Sequence, residues 1–318
     1  MDSSTADRAL PVWRSLLYVP VNVPRFVDKA HTRGADAVQL DLEDSVPQAE
    51  KEAARALVRD AARRVRVGGA DVVVRINRSM GAAIRDLEAA VCPDVDAIAL
   101  TKVASASHVR LLDEYVSELE RRSSMPVGRT RFIAMVETAQ AFFAVERIAA
   151  SSPRIAALAL GTEDFAFSVG MEPEPEGLFY PKLHTAFAAR AAGVIPLGFI
   201  GTAAGFEDKT GFRAMVRRSR SLGFEGASCI HPDQVAILNE EFAPTAAELE
   251  AARRLVAAND EAERLGRGAF ALDGKMVDVP VVLRARRVLA RDAAIRARLS
   301  RRPVDQPFRP STHSIASP

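Results

Sequence analysis

A closed parallel (β/α)8 barrel of the TIM type, extended by helices at its C-terminal end, is the α/β fold this sequence predicts. Three observations carry that expectation. Eight short apolar runs alternate with amphipathic stretches along most of the 318 residues. The runs at 132–136 and 155–161 show no polar alternation, which is how strands buried on both faces read. No Gly-x-Gly-x-x-Gly turn follows the first run, so nothing announces an open dinucleotide-binding sheet.

The elements follow in order. Residues 15–19 form the first strand and 24–33 the helix behind it. Residues 37–42 form the second, followed by a helix that Pro47 starts and that runs toward Arg64. The third and fourth strands lie at 72–76 and 97–101, with a long helix at 105–121. The fifth and sixth lie at 132–136 and 157–160. The seventh, 195–200, and the eighth, 226–230, bracket a helix at 208–222. The barrel therefore occupies 14–242. Beyond it, 243–300 reads as a helical extension with a glycine-bearing lid segment at 266–278 and a closing helix after Pro280. The ends, 1–13 and 301–318, lack hydrophobic period and read as poorly ordered tails.

A formal charge of +2, with basic residues spread along the chain, gives no reason to expect a nucleic-acid partner. The Arg-rich stretch 284–302 alternates with Ala, Leu and Val and reads as the solvated face of a helix. Cys92 and Cys229 lack metal-binding spacing and fit buried thiols in a reducing cytoplasm. No apolar run is long enough to cross a bilayer, so a cytoplasmic protein without a membrane partner is expected.

Catalytic groups of such barrels sit just after the strands. The informative residues are Asp41, Glu43 and Asp44 after the second strand, and Arg75 and Asn77 at the third. Lys102 follows the fourth, Glu137 the fifth, Glu163 and Asp164 the sixth, and His231 the eighth. Neighbouring fifth and sixth strands would place Glu137 and Asp164 side by side. Two carboxylates completed by waters are how Mg2+ is commonly held. Asp44 either caps the helix that starts at Pro47 or stands near the metal. Arg75 either pairs with the acidic stretch 41–44 or binds a substrate carboxylate or enolate. Lys102 reads as a structural partner, His231 as a loop anchor, and Glu163 as a capping or orienting group.

Seven motifs, in order, resemble signatures of the citrate lyase β-subunit-like proteins. They are Arg14-Ser15-Leu16-Leu17-Tyr18-Val19-Pro20, Asp41-Leu42-Glu43-Asp44-Ser45-Val46, Val74-Arg75-Ile76-Asn77, Met135-Val136-Glu137-Thr138, Gly161-Thr162-Glu163-Asp164-Phe165, Cys229-Ile230-His231-Pro232 and Asp273-Gly274-Lys275-Met276-Val277-Asp278-Val279-Pro280. That family groups with malyl-CoA and citramalyl-CoA lyases in the HpcH/HpaI aldolase/citrate lyase superfamily. The resemblance implies a Mg2+-dependent TIM barrel that assembles as a homotrimer or hexamer. It implies Glu137 and Asp164 as metal ligands and Arg75 as the group that binds substrate oxygens. Glu43 and Asp44 would support the metal's water shell, with Tyr18, Pro20 and Lys29 on the substrate side. Asp278 would be an acid/base supplied to a neighbouring subunit.

The implied reaction cleaves a short 3-hydroxyacyl-CoA thioester to acetyl-CoA and a 2-oxo acid. Hydrolysis of the thioester and a non-catalytic metabolite-binding role are the alternatives. Two departures bear on the carrier. Pro20-Val21-Asn22-Val23-Pro24 replaces the family's Pro-Gly-Asn/Ser-Arg-Pro, which removes an arginine suited to CoA phosphates while Lys29 keeps its place. A lysine frequent before Ile-His-Pro is replaced by Ala227 or Ser228.

Overall fold

The computed structural model describes residues 9–202, 208–266, 270–272 and 274–301. Eight parallel strands lie in the order β7-β6-β5-β4-β3-β2-β1-β8. They are β1 (Ser15–Pro20), β2 (Ala37–Asp41), β3 (Asp71–Ile76), β4 (Ala97–Leu100), β5 (Arg131–Val136), β6 (Ile155–Leu160), β7 (Ile195–Leu197) and β8 (Ala227–Cys229). β1 pairs with both β2 and β8. A single bridge, Leu197 to Gly226, with Gly198 N–H donating to the Gly226 carbonyl at 2.8 Å, joins β7 to β8 and closes the ring. Gly226 is required there for space, since a Cβ would overlap the Trp13 carbonyl.

Alternation along each strand divides the apolar side chains between two cores. Leu17, Val38, Leu40, Val72 and Val74 face outward into the layer beneath the helices. Leu16, Ala37, Val73, Ala97, Ala99 and Ile133 fill the barrel, where alanines opposite larger chains fit the narrow interior. The helices match these outer faces. In Ala106–Arg122, Val109, Leu112, Val116 and Leu119 form one buried stripe, and the Ser105 side chain caps its start by accepting from His108 N–H.

Several boundaries differ from the sequence expectation. Trp13 is 1% exposed and packs into the barrel interior, so the barrel begins before residue 14. Residues 1–8 and 302–318, expected as tails, lie outside the described residues. The helices Met80–Ala90 and Pro175–Ala191 escape a periodicity reading because Gly81 opens the first and Pro181 interrupts the second. The lid segment is an antiparallel hairpin, β9 (Phe270–Leu272) with β10 (Lys275–Val277). Residues 267–269 and Asp273 within that segment lie outside the described residues.

The final helix, Val279–Leu299, is not merely solvated on its basic side. Arg298 reaches the barrel floor, pairing with Asp36 at 3.2 Å and Asp71 at 2.9 Å, while Arg291 pairs with Glu225 at 3.1 Å. Asp36 is fully buried and also accepts from Arg14 Nε at 2.7 Å and Nη2 at 2.9 Å. Burial alone would raise its carboxyl, but Arg14 and Arg298 outweigh this and hold it below the usual carboxylate range.

Breaking this network should be costly. Asp36→Asn leaves Arg14 without its buried counter-charge and is expected to cost about 3–5 kcal/mol in urea denaturation. Because the folded pKa is depressed, the carboxylate's contribution is present above the unfolded value of roughly 3.9. It should vanish as pH falls through the lower folded value, so the difference between wild type and variant should shrink in acid.

Candidate active site

Most of the polar residues at the strand ends meet around one cavity of about 930 Å3 at the C-terminal face, whereas Asn77 donates to the Asp86 carboxylate at 2.7 Å and the Leu42 carbonyl at 2.9 Å. Register explains their meeting. Asp41 and Arg75 are direct cross-strand partners on β2 and β3, and pairing of Val136 with Leu160 sets Glu137 beside Gly161. Arg75 binds Asp41 with both Nε and Nη2 at 2.7 Å, and its Nη1 lies 2.9 Å from Glu43 and 3.2 Å from Asp44. Its guanidinium also sits 4.8 Å from the centre of the Tyr18 ring. Arg75 therefore anchors the acidic stretch, the first of its two readings, while one Nη2 hydrogen keeps no protein acceptor among the described residues.

Lys102 organises the opposite side. It is one of two non-glycine residues with positive φ, at 47°, among the described residues. Thr101 Oγ1 donates to the Ile76 carbonyl at 2.9 Å and Arg78 Nε to the Lys102 carbonyl at 2.8 Å, which hold the turn. That backbone conformation aims the Lys102 N–H at the Glu137 carboxylate. The ammonium stands 2.8 Å from Glu43, 3.4 Å from Asp164 and 4.0 Å from Asp44. Desolvation works against its charge, but these carboxylates prevail and raise its pKa.

Glu137 is 3% exposed, and its carboxyl is pushed up to about 7. Burial is the main cause, with the charges of Glu43 and Asp164 adding to it. Burial likewise raises Glu43, whose Oε2 forms the ion pair with Arg75 yet makes no aligned hydrogen bond. Asp41, Glu43, Asp44, Glu137 and Asp164 thus share this corner with two cations, Arg75 and Lys102. A divalent cation would relieve that imbalance. Among the described residues no group of three or more His, Cys, Asp or Glu forms a metal cluster. Two carboxylates completed by waters remain a fit for Mg2+, which retains several waters when bound. Gly161 makes the arrangement possible, because a Cβ there would fall 2.5 Å from Glu137 Cγ.

Tyr18, Pro20, Lys29, Asp44, Arg75, Glu137 and Asp164 all line the cavity. Glu43 touches the site through Arg75 and Lys102. Asp44 is not a helix cap: its side chain is 60% exposed and turned to Arg75, and the turn after Pro47 has no side-chain cap. His231 is the expected anchor, capping helix Pro232–Glu241 in a reciprocal arrangement with Gln234. Asp278 does not line the cavity of its own chain; it is exposed and accepts from Val281 N–H at the start of the last helix. Sequence reasoning undervalued Lys102 and passed over Gly161 and Arg33, which lines the cavity near Lys29. The immediate succession of β4 and Lys102 was the available signal.

Comparison with known proteins agrees with the barrel fold. The profile described as HpcH/HpaI aldolase/citrate lyase matches residues 14–232. Citrate lyase subunit beta of Leuconostoc mesenteroides subsp. cremoris is 37% identical over 279 residues, 87% of this chain and 92% of that protein. A (3S)-malyl-CoA thioesterase of Cereibacter sphaeroides is 37% identical over 297 residues, 92% of this chain and 98% of that protein. Among solved structures, CitE from Mycobacterium tuberculosis in complex with magnesium, acetoacetate and coenzyme A is 32% identical, with a TM-score of 0.69. The match covers 90% of this chain and 99% of that one.

The Gly161 contact gives a direct test of the site. Gly161→Ala should leave the fold intact by circular dichroism but displace the Glu137 carboxylate. Mg2+ affinity measured by calorimetry should fall about 10–100-fold, the range seen when a group that orients a metal ligand is lost.

Proposed function

Because the chain belongs to the HpcH/HpaI aldolase/citrate lyase family, we propose that it is a Mg2+-dependent carbon–carbon lyase acting on a short 3-hydroxyacyl-CoA thioester. The products would be acetyl-CoA and a 2-oxo acid. The observation that carries this reading is the unbalanced carboxylate cluster facing one cavity beside an arginine with a spare donor. Glu137 and Asp164 would hold the Mg2+, with Glu43 and Asp44 beside its waters. When bound, the ion would supply electrophilic polarisation of the substrate's hydroxyl and carboxylate oxygens.

The chain's own groups fit the remaining steps. The hydroxyl proton passes to a carboxylate of the cluster, and that oxygen becomes the new carbonyl. The bond to the thioester α-carbon breaks, and its electron pair passes into the thioester enolate. The free Nη2 hydrogen of Arg75 can stabilise that oxyanion, a contribution of about 3 kcal/mol for a single preorganised donor. Asp278 of another copy would protonate the enolate carbon. Its exposure outside its own chain's cavity supports action in trans, as does the apolar surface beside it, with Met276 80% and Val279 63% exposed. A homotrimer or hexamer would meet that need. Lys29 and Arg33 line the cavity together with Phe26, a setting suited to the phosphates and adenine of CoA. No helix among the described residues is long and apolar enough to cross a membrane. Both cysteines are free and buried, which fits a cytoplasmic enzyme.

The similarity to a relative named as a malyl-CoA thioesterase favours hydrolysis as the second reading. Product analysis separates the two. With Mg2+ and a panel of hydroxyacyl-CoA thioesters, a lyase releases 2-oxo acid and acetyl-CoA without free thiol. A hydrolase releases free thiol without 2-oxo acid. Asp278→Ala should lower turnover at least about 100-fold with Mg2+ binding unchanged. Unaltered turnover in that variant would remove Asp278 from the chemistry.

A further inference from the structure

The cavity at the barrel mouth adjoins a second chamber of about 330 Å3 on the β6–β8 side. The two share Tyr18, Met135, Gly161 and Glu163 as walls. The chamber is walled largely by apolar side chains, including Leu197, Phe199 and Phe224, and the mechanism above leaves it unused. One feature does not suit an apolar compartment: Lys182 lines it and is 4% exposed.

Lys182 sits on the inner stripe of helix Pro175–Ala191, between Leu178 and Thr185, where a core residue would be expected. Its ammonium donates to the Gly201 carbonyl and lies 5.9 Å from the Phe199 ring centre. No carboxylate lies within ion-pair distance of it among the described residues. An ammonium has three donors and this one uses one. Burying such a charge without a counter-ion is unfavourable, and burial pushes the amine down to about 8, with the Glu163 charge opposing the shift. A lone cation at the wall of an apolar side chamber matches a short chain that ends in an anion.

We propose that this chamber seats a second carboxylate on Lys182, carried by the 2-oxo acid half of the substrate, so that the site prefers oxo-dicarboxylates to their monocarboxylate isosteres. The inference rests on the lyase reading, because it assumes that the oxo-acid product binds at Glu137, Asp164 and Arg75. Thr162 and Ser228 border the same chamber, and their hydroxyls can serve the remaining oxygen; that of Thr185 already donates to the Pro181 carbonyl at 2.8 Å. Lys182 is then a specificity-determining residue rather than a participant in bond cleavage.

Calorimetric binding of isosteric pairs, with Mg2+ and without CoA, tests this. The pairs are oxaloacetate against 4-methyl-2-oxopentanoate and 2-oxoglutarate against 5-methyl-2-oxohexanoate. The dicarboxylate should bind about tenfold or more tightly in at least one pair, as a charge-assisted contact implies. Lys182→Met should abolish the preference and leave the monocarboxylate affinities unchanged; Lys182→Arg should keep it. In the wild type the preference should fade as pH rises from 7 to 9.5, since the amine loses its proton near 8. It should persist across that range in Lys182→Arg. Tyr18 and Glu163 are the other titratable walls, and Tyr18, raised to about 12, keeps its proton across that window. Equal binding of both members of each pair, or a preference that survives Lys182→Met in a protein with unaltered melting, would overturn the proposal and leave the lyase reading intact. Failure of every oxo acid to bind with Mg2+ would overturn both.

Discussion

An excess of negative charge at the mouth of the barrel is the constraint around which the site is built. Carboxylates that close together cannot all ionise in a partly buried pocket unless cations stand between them. Arg75 and Lys102 do this from opposite sides, and Glu137 shows what remains uncompensated: its carboxyl is raised to about 7. The strands hold these groups in register, so the repulsion is borne by the scaffold rather than relieved by side chains swinging apart. On the proposed reading, that stored mismatch is what would make the corner receptive to a hard cation.

The scaffold can bear it because the barrel is fixed at several points. Alternation along the strands separates an inner core from the layer beneath the helices. The seam between β7 and β8 is its thinnest part, one bridge and a glycine without room for a side chain. At the opposite end Asp36 ties the start of β2 to Arg14 and to the last helix. Rigidity below permits unfavourable electrostatics above, a division common to barrels whose stability and chemistry occupy different faces.

Much of this was legible in the sequence, for identifiable reasons. The apolar runs of β5 and β6 have the uniform burial that double-sided packing demands, and the acidic residues directly after them could only point to the rim. Glu137 and Asp164 were plain for that reason, although Asp164 lies in the first turn of the helix Thr162–Val169 rather than at the strand end itself. Lys102 was visible but undervalued, because its importance comes from a left-handed backbone and three carboxylates contributed by distant segments. Gly161 depends on a clash that exists only across two strands. Trp13 looked like part of a tail because nothing local reveals that it plugs a barrel. Lys182 was hidden by a helix whose proline and alanines blur its period. Contacts within one segment, or between the ends of neighbouring strands as for Arg75 and Asp41, could be read; those assembled from more distant segments could not.

The last helix has a mechanical consequence. Its 21 residues span about 30 Å, with Asp278 at one end and Arg298 clamped under the barrel at the other. It therefore behaves as a strut that sets how far the hairpin's aspartate is carried from its own floor. On the reading proposed for Asp278, inherited changes at the clamp would slow turnover in the adjoining protomer while leaving every group that meets the substrate untouched. Damage in one molecule would surface as a defect in its neighbour.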